Sequence, residues 1–276
     1  IFEALVLKEP ANIEARIGYA RNLIALNQNY KAISELKSVI EYEPKHAPAY
    51  VLLARCQLHD NRVNDAFDTL KRAYEIDPGD LETNIELGVV YRDRGMLEEA
   101  MRHFKSALDI APKNSKAYFE MGRTYSEMGN SSEALVLFKN AIEENPKDYR
   151  SYLGMSLILK QQGAVSEAIL MMKKALEIEP DFIDCLMNLG AVYYELEDYK
   201  RALDSYQKAA SLDSTAVEAS LKCGFCHFML KQYAEAHDKF EAIVSMGDEK
   251  YSLTCYIQLA EIAAIKNNAS QAAAFS

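Results

Sequence analysis

A period of 34 residues constrains the fold of this chain more than any other feature. Six prolines recur at that interval, and seven alanines recur in phase with them. They are Pro10, Pro44, Pro78, Pro112, Pro146 and Pro180, and Ala32, Ala66, Ala100, Ala134, Ala168, Ala202 and Ala236. A fixed period of this length is typical of stacked repeats that need their neighbours to bury an apolar face. The sequence therefore predicts one repeat array, although 276 residues would suffice for two ordinary domains.

Each repeat contains two helical patterns. Residues 115–128 place Tyr118, Met121 and Tyr125 on one helix face, and residues 131–144 repeat the pattern. The position between the two patterns is occupied by Asn27, Asn61, Gly95, Gly129, Gly163, Glu197 and Lys231. Gly and Asn tolerate the left-handed conformation that ends a helix, and proline at the end of the repeat cannot continue one. Each repeat is therefore predicted to be a helix-turn-helix hairpin.

The repeat boundaries follow from these positions. Seven complete repeats cover 13–46, 47–80, 81–114, 115–148, 149–182, 183–216 and 217–250, flanked by partial repeats at 1–12 and 251–276. Ser214 and Asp248 replace the expected prolines, and the register then shifts by about two residues. Beyond the shift, Tyr256, Leu259 and Asn267 restore the pattern of an eighth repeat that stops within its second helix. Because the chain starts inside one hairpin and ends inside another, we expect it to be a piece of a longer protein.

The order of residue types within a repeat points to a known family. The repeat from residue 81 contains Leu87, Gly88, Tyr91, Ala100, Phe104, Ala107 and Pro112. This pattern resembles the tetratricopeptide repeat family, and the resemblance extends over essentially the whole chain. It implies an all-α fold, an α-solenoid in which tandem helix-turn-helix hairpins form a right-handed superhelix. It also implies a scaffold for protein–protein interaction rather than an enzyme.

Charge and composition exclude several classes of partner. The net charge of −10 argues against binding to nucleic acid or to an anionic membrane surface. No apolar run approaches the roughly 18 residues of a membrane-spanning helix, so no membrane insertion is expected. Five cysteines, an odd number without regular spacing, do not form a disulfide framework. They favour a reducing compartment, and we predict a cytoplasmic protein.

One short motif offers an alternative chemistry. Cys223, Cys226 and His227 match a Cys-x-x-Cys-His haem-attachment signature or a redox pair. Cys223, however, occupies the repeat position of Leu87, and His227 that of Tyr91, which are core positions. No nucleophile motif or phosphate-binding loop is present, and the five histidines are scattered. We therefore expect no catalytic residue, cofactor or metal, and rank redox or haem chemistry last.

The resemblance implies that one face of the first helices lines a concave groove that binds an extended peptide or a partner helix. The predicted basic residues of this face are Arg21, Arg55, Arg92, Arg123 and Lys160. Its predicted apolar and aromatic residues are Val51, Ile85, Phe119, Leu153, Met187, Tyr194, Phe225 and Phe228. Arginines between apolar side chains favour a partner segment that is acidic and hydrophobic. In a competing interpretation Glu14, Glu86, Glu120 and Glu127 pair with these arginines and leave a neutral wall.

Some members of the family bind carboxylate tails with a clamp of Lys, Asn and Arg residues. That clamp is not matched, since Leu153 and Leu157 stand where Lys and Asn would be needed. The sequence thus predicts a protein-interaction scaffold within a multiprotein complex. The alternative is a substrate-docking or self-assembling part of a larger enzyme or machine, in which the array ends associate.

Overall fold

The structure is a computed structural model that describes residues 5–6, 8–9, 11–213, 217–247 and 249–274, with side chains through residue 267. Between residues 13 and 274, its described part contains fifteen α-helices and no β-strand. This confirms the all-α repeat fold predicted from the sequence. Pro10, Ser214 and Asp248 lie outside the described residues.

Residues 1–154 and 155–276 form two compact units. The first unit contains α1 (Ile13–Ala25), α2 (Asn29–Tyr42), α3 (Ala47–His59), α4 (Val63–Ile76), α5 (Leu81–Asp93), α6 (Leu97–Ile110), α7 (Ser115–Glu127) and α8 (Ser131–Glu144). The boundary between the units falls within α9 (Tyr149–Gln161). The second unit contains α10 (Val165–Ile178), α11 (Ile183–Glu195), α12 (Tyr199–Leu212), α13 (Val217–Met229), α14 (Tyr233–Ser245) and α15 (Glu249–Ala274).

The helices follow the sequence period. The odd-numbered helices from α1 to α13 are the first helices of seven hairpins, and the even-numbered helices are the second. In each set, every helix begins 34 residues after the previous one, from Ile13 for the first helices and from Asn29 for the second. The turn position has positive φ in all seven hairpins, between 56° and 80°. Glu197 (59°) and Lys231 (60°) thus adopt a conformation that the sequence predicted mainly from Gly and Asn.

Side-chain caps fix where several first helices begin. The Asn12 side chain accepts a hydrogen bond from the Ala15 amide at 2.9 Å, and Asn114 accepts one from Ala117 at 2.8 Å. Asp80 likewise accepts from the Thr83 amide at 2.7 Å. Each cap satisfies an amide that has no partner within its own helix.

Within the first unit, every helix from α1 to α8 packs against the next one, and α1, α3, α5 and α7 also contact one another in sequence. The first helices therefore form one layer with a common face. In the second unit, α10 to α15 pack consecutively in the same way. All seven alanines of the 34-residue series are fully buried, which lets the helix backbones approach closely.

The C-terminal part of the chain differs from the expected eighth hairpin. A single helix, α15, continues past Asn267, where the repeat pattern predicted a turn. No proline follows Asn267, and four of the next seven residues are alanine, which has the highest helix propensity. These residues favour continuation of the helix over a break.

Candidate functional site

A cleft of about 460 Å³ lies on the layer of first helices in the first unit, and we call it the N-terminal cleft. It is lined by Arg21, Ile24, Leu52, Arg55 and Glu82. The 34-residue period places Arg21 and Arg55 at the same position of α1 and α3, so both arginines reach the same cleft. Arg21 is exposed and forms no ion pair with any described residue. The cleft therefore offers one unpaired guanidinium beside apolar side chains.

Arg55 is held by carboxylates of the next repeat. Its Nε donates to Glu86 Oε1 at 2.9 Å, and its guanidinium also pairs with Glu82. Lys116 Nζ reaches the same Glu86 oxygen at 2.9 Å. Burial raises the pKa of Glu86, but the charges of Lys116 and Arg55 outweigh burial, and the pKa lies below its ordinary value. Glu86 is therefore ionised, and together with Glu82 it balances the charges of Arg55 and Lys116.

Arg92 and Arg123 converge on Glu120. The Arg92 side chain is only 2% exposed and pairs with Glu120, with Asp93 at 3.0 Å and with Glu127 at 3.4 Å. Arg123 is 44% exposed, and its Nη1 lies 3.5 Å from Glu120 Oε2. Arg55, Arg92 and Arg123 thus pair with Glu86, Glu120 and Glu127, as the competing interpretation predicted.

Two of the predicted basic residues, Arg21 and Arg123, are exposed to solvent. Glu14, the fourth carboxylate of the competing interpretation, forms no ion pair among the described residues. Around Arg92, the two positive charges of Arg92 and Arg123 face the three negative charges of Asp93, Glu120 and Glu127. The predicted face is therefore net negative around Arg92 and cationic at Arg21.

The predicted apolar residues of the first unit are buried. Val51, Ile85, Phe119 and Leu153 are between 0% and 8% exposed. Val51 packs in one core cluster with Leu70 and Leu87, and Ile85 packs in another. These residues lie beneath the face. The apolar residues that line the N-terminal cleft are Ile24, which is partly buried, and Leu52, which is only 7% exposed. The sequence predicted Val51, Ile85, Phe119 and Leu153 as groove residues, because helix periodicity does not distinguish a residue beneath the face from one on its surface.

A second cleft, of about 310 Å³, lies in the second unit, and we call it the C-terminal cleft. Its lining consists of Ala191, Tyr194, Glu195, Tyr206, Lys222 and Phe225. The structure thus brings the predicted Tyr194 and Phe225 together. Lys160 reaches this cleft through an ion pair of 2.7 Å with Glu195. Met187 packs instead against a core cluster around Leu186, and Phe228 packs against Tyr233 with ring centroids 5.6 Å apart.

The prediction missed Tyr206 and Lys222 as lining residues. Tyr206 belongs to a second-helix series that is otherwise apolar. That series is Leu36, Leu70, Phe104, Phe138, Met172, Tyr206 and Phe240. The hydroxyl of Tyr206, alone in an apolar series, could have identified it as a lining residue, because a phenylalanine at this position would pack equally well.

The Cys-x-x-Cys-His motif lies in the core of α13. Cys223 and Cys226 have no exposed surface, and His227 Nδ1 donates a hydrogen bond to Gln232 Oε1 at 2.7 Å. Burial raises the pKa of Cys223 to about 11 and that of Cys226 to about 12. Buried thiols with raised pKa values are poor nucleophiles, so the motif packs the helix and does not offer thiolates.

One group of side chains has the spacing of metal ligands among the described residues. It comprises His237, Asp238 and Glu241, whose ligand atoms all lie within 4.8 Å of one another on α14. The two carboxylates are exposed and come from a single helix turn, an arrangement that is also common without a metal. Within the described part of the chain, no helix is both long enough and apolar enough to span a membrane.

Comparisons with known proteins identify the repeat. A family model described as tetratricopeptide repeat matches residues 30–83, 91–156 and 126–184, and a second model with that description matches residues 183–215. These matches cover more than half of the chain. A search of curated proteins finds no match.

Among solved structures, one chain of the APC/C hetero-tetramer Cut9–Hcn1 is similar with a TM-score of 0.74 and 14% sequence identity. That similarity covers 82% of this chain and 45% of the other, so the present chain spans less than half of that protein. A tetratricopeptide repeat protein from Parabacteroides merdae is similar with a TM-score of 0.62 and 18% identity, covering 91% of this chain and 98% of the other. At these identities the similarity shows the fold alone.

Proposed function

Because this chain belongs to the tetratricopeptide repeat family, we propose that it is a protein-interaction scaffold that binds an extended peptide or partner helix on the face of its first helices. The observation that carries this proposal is the N-terminal cleft, where the unpaired Arg21 lies beside Ile24 and Leu52 while the carboxylate of the lining, Glu82, pairs with Arg55. A protein with a net charge of −10 that keeps an unpaired guanidinium beside the apolar Ile24 and Leu52 is suited to an acidic and hydrophobic segment.

The partner's carboxylate would pair with Arg21, because Arg55 is already held by Glu82 and Glu86. Bidentate pairs between arginine and carboxylate fix orientation as well as adding energy, because the guanidinium presents its donors in a rigid fork. Apolar side chains of the partner would pack on Ile24 and Leu52 in the same cleft. In the second unit, Tyr194 and Phe225 supply aromatic anchors of the kind that dominate binding energy at interfaces.

The test compares Arg21→Glu with a matched charge reversal, Lys105→Glu, at an exposed and unpaired position of the second helix α6. Segments captured from a lysate are identified by mass spectrometry, synthesised as peptides and measured by isothermal titration calorimetry. We expect Arg21→Glu to weaken binding about tenfold or more, equivalent to the loss of one charge-assisted contact. We expect Lys105→Glu to bind as the wild type does. Equal affinity of all three proteins would refute a site at the N-terminal cleft.

The alternative function is docking or self-assembly within a larger machine. Two observations favour it: the similar Cut9 or Hcn1 chain was solved as part of a hetero-tetramer, and α15 carries exposed apolar residues. Leu253 is 71% exposed, and Tyr256 and Ile257 are each 57% exposed. Analytical ultracentrifugation across a concentration series tests it, since self-assembly predicts a rise in mass that Leu253→Glu abolishes. A cytoplasmic location belongs to the same proposal and is supported by five free cysteines.

A further inference from the structure

Tyr206 combines deep burial with an unused hydroxyl. Its side chain is only 2% exposed and packs so closely on Gly190 that an added Cβ atom there would lie 2.6 Å from the ring. The residue nevertheless lines the C-terminal cleft, and its hydroxyl forms no hydrogen bond with any described residue. The hydroxyl is not one of the fully enclosed side-chain atoms without a partner, so water or a ligand in the cleft can complete its hydrogen bond.

The hydroxyl is not needed for packing. Three other repeats place Phe104, Phe138 and Phe240 at the position of Tyr206, and each ring packs on a glycine of the preceding first helix. A phenylalanine would therefore fill the same space in this repeat. Burial raises the pKa of Tyr206, so at neutral pH the hydroxyl stays protonated and can donate a hydrogen bond.

The charges around the cleft favour an anion. Lys222 lines it and forms no ion pair with any described residue. Glu195, the one carboxylate in the lining, is engaged by Lys160 at 2.7 Å. These three side chains sum to one positive charge. Tyr194 and Phe225 add apolar walls on which the methylene groups of a bound side chain can pack.

We propose that the C-terminal cleft binds a carboxylate side chain of the partner segment, which accepts a hydrogen bond from the Tyr206 hydroxyl and pairs with Lys222. The inference rests on the proposed function, because it names one residue type that the bound segment must carry. In this proposal the second unit selects for an acidic residue in the bound segment, independently of the arginines in the first unit. A segment with an amide in place of the carboxylate keeps its packing on Tyr194 and Phe225 and loses the ion pair.

A phage library of random twelve-residue peptides, selected on the wild-type protein, provides the probe. The selected peptides should share an Asp or Glu, and its replacement by Asn or Gln should weaken binding about tenfold. Tyr206→Phe and Lys222→Gln should each cause a similar loss and should no longer distinguish the acidic peptide from its amide. Lys200→Gln, at an exposed position of α12 without an ion pair among the described residues, is the control and should leave affinity unchanged.

The outcomes separate this inference from the proposed function. If Tyr206→Phe and Lys222→Gln bind the acidic peptide as tightly as the wild type while Arg21→Glu weakens binding, the carboxylate subsite is wrong and the scaffold proposal stands. If no peptide is selected, or if affinity is insensitive to Arg21, Tyr206 and Lys222 alike, both proposals are overturned. Unchanged circular-dichroism melting of Tyr206→Phe would establish that a loss of binding is not a loss of fold.

Discussion

The ring of Phe104 packs directly on the backbone of Gly88 in the preceding helix, so closely that a Cβ atom at Gly88 would overlap the ring. The same pairing joins Gly122 to Phe138 and Gly224 to Phe240. In the two repeats whose second-helix residue is Leu, the first-helix residue is Ala instead of Gly. Those pairs are Ala20 with Leu36 and Ala54 with Leu70, each within one core cluster. The two residues of each such pair thus have a similar combined volume, whether the pair is Gly with Phe or Ala with Leu.

Gly88→Ala should therefore destabilise the protein although alanine is the better helix former. Overpacking costs about 1–3 kcal/mol, and the gain in helix propensity returns up to about 1 kcal/mol. We expect the free energy of unfolding to fall by about 1–2 kcal/mol, measured by urea denaturation. Wild-type stability in Gly88→Ala would mean that the helices separate at no cost and that the close contact is not required.

Adding Phe104→Leu to Gly88→Ala reproduces the natural Ala54–Leu70 pair and should recover much of the lost stability. Phe104→Leu alone leaves space above Gly88 and should be destabilising. The double variant should thus be more stable than the sum of the two single changes predicts, which is the signature of residues in contact. Additive effects would contradict direct packing of this pair.

The turn residues Glu197 and Lys231 give a second prediction. Both have φ near +60°, a conformation that costs residues other than glycine roughly 1–2 kcal/mol. Glu197→Gly and Lys231→Gly should each raise the free energy of unfolding, by about 0.5–1 kcal/mol once the greater freedom of glycine in the unfolded chain is subtracted. Glu197→Ala is the control: it removes the same side chain without relieving the backbone, and should not stabilise. Stabilisation by alanine as large as by glycine would place the strain in the side chain.

Much of the fold was predictable because each repeat carries similar residue types at the same positions. Seven buried alanines and seven turn positions follow the period, and even Glu197 adopts the conformation set by its position. The expected turn at Asn267 was wrong, because one turn residue did not outweigh the helix propensity of the alanines that follow.

The candidate site was less predictable than the fold. The repeat positions of Arg21 and Arg92 predicted the same face for both. Arg21 is exposed, however, whereas Arg92 is buried among carboxylates. Their difference depends on which acidic residues the next repeat contributes, such as Glu120, and on how far the long side chains reach. Helix periodicity specifies a direction for each side chain, whereas pairing across repeats decides which charge remains available.

The buried pair of Arg92 and Glu120 gives a third prediction. Their side chains are 2% and 7% exposed, so removing the carboxylate leaves a guanidinium that is poorly compensated. Glu120→Gln should lower the free energy of unfolding by about 3 kcal/mol, the lower end for breaking a buried pair, since Asp93 and Glu127 remain beside Arg92. Urea denaturation measures the change.

The double variant Arg92→Met with Glu120→Leu provides the contrast. Replacing both charges by apolar side chains of similar size removes the desolvation penalty together with the attraction, so it should lie close to wild-type stability. If Glu120→Gln is as stable as the wild type, Arg92 does not depend on this carboxylate and solvent reaches the pair.

The thiols of the described core give the last prediction. Burial raises the pKa of Cys56 to about 11 and that of Cys185 to about 12, values similar to those of Cys223 and Cys226. Raising a thiol pKa to three units above the solution pH leaves roughly one thiolate in a thousand at pH 8. Reaction of the native protein with a chromogenic disulfide at that pH should therefore be slow, whereas the protein unfolded in guanidinium should react rapidly. Fast reaction of Cys223 and Cys226 in the native state would show accessible thiolates on α13, and the redox interpretation of the motif would then replace its role in packing.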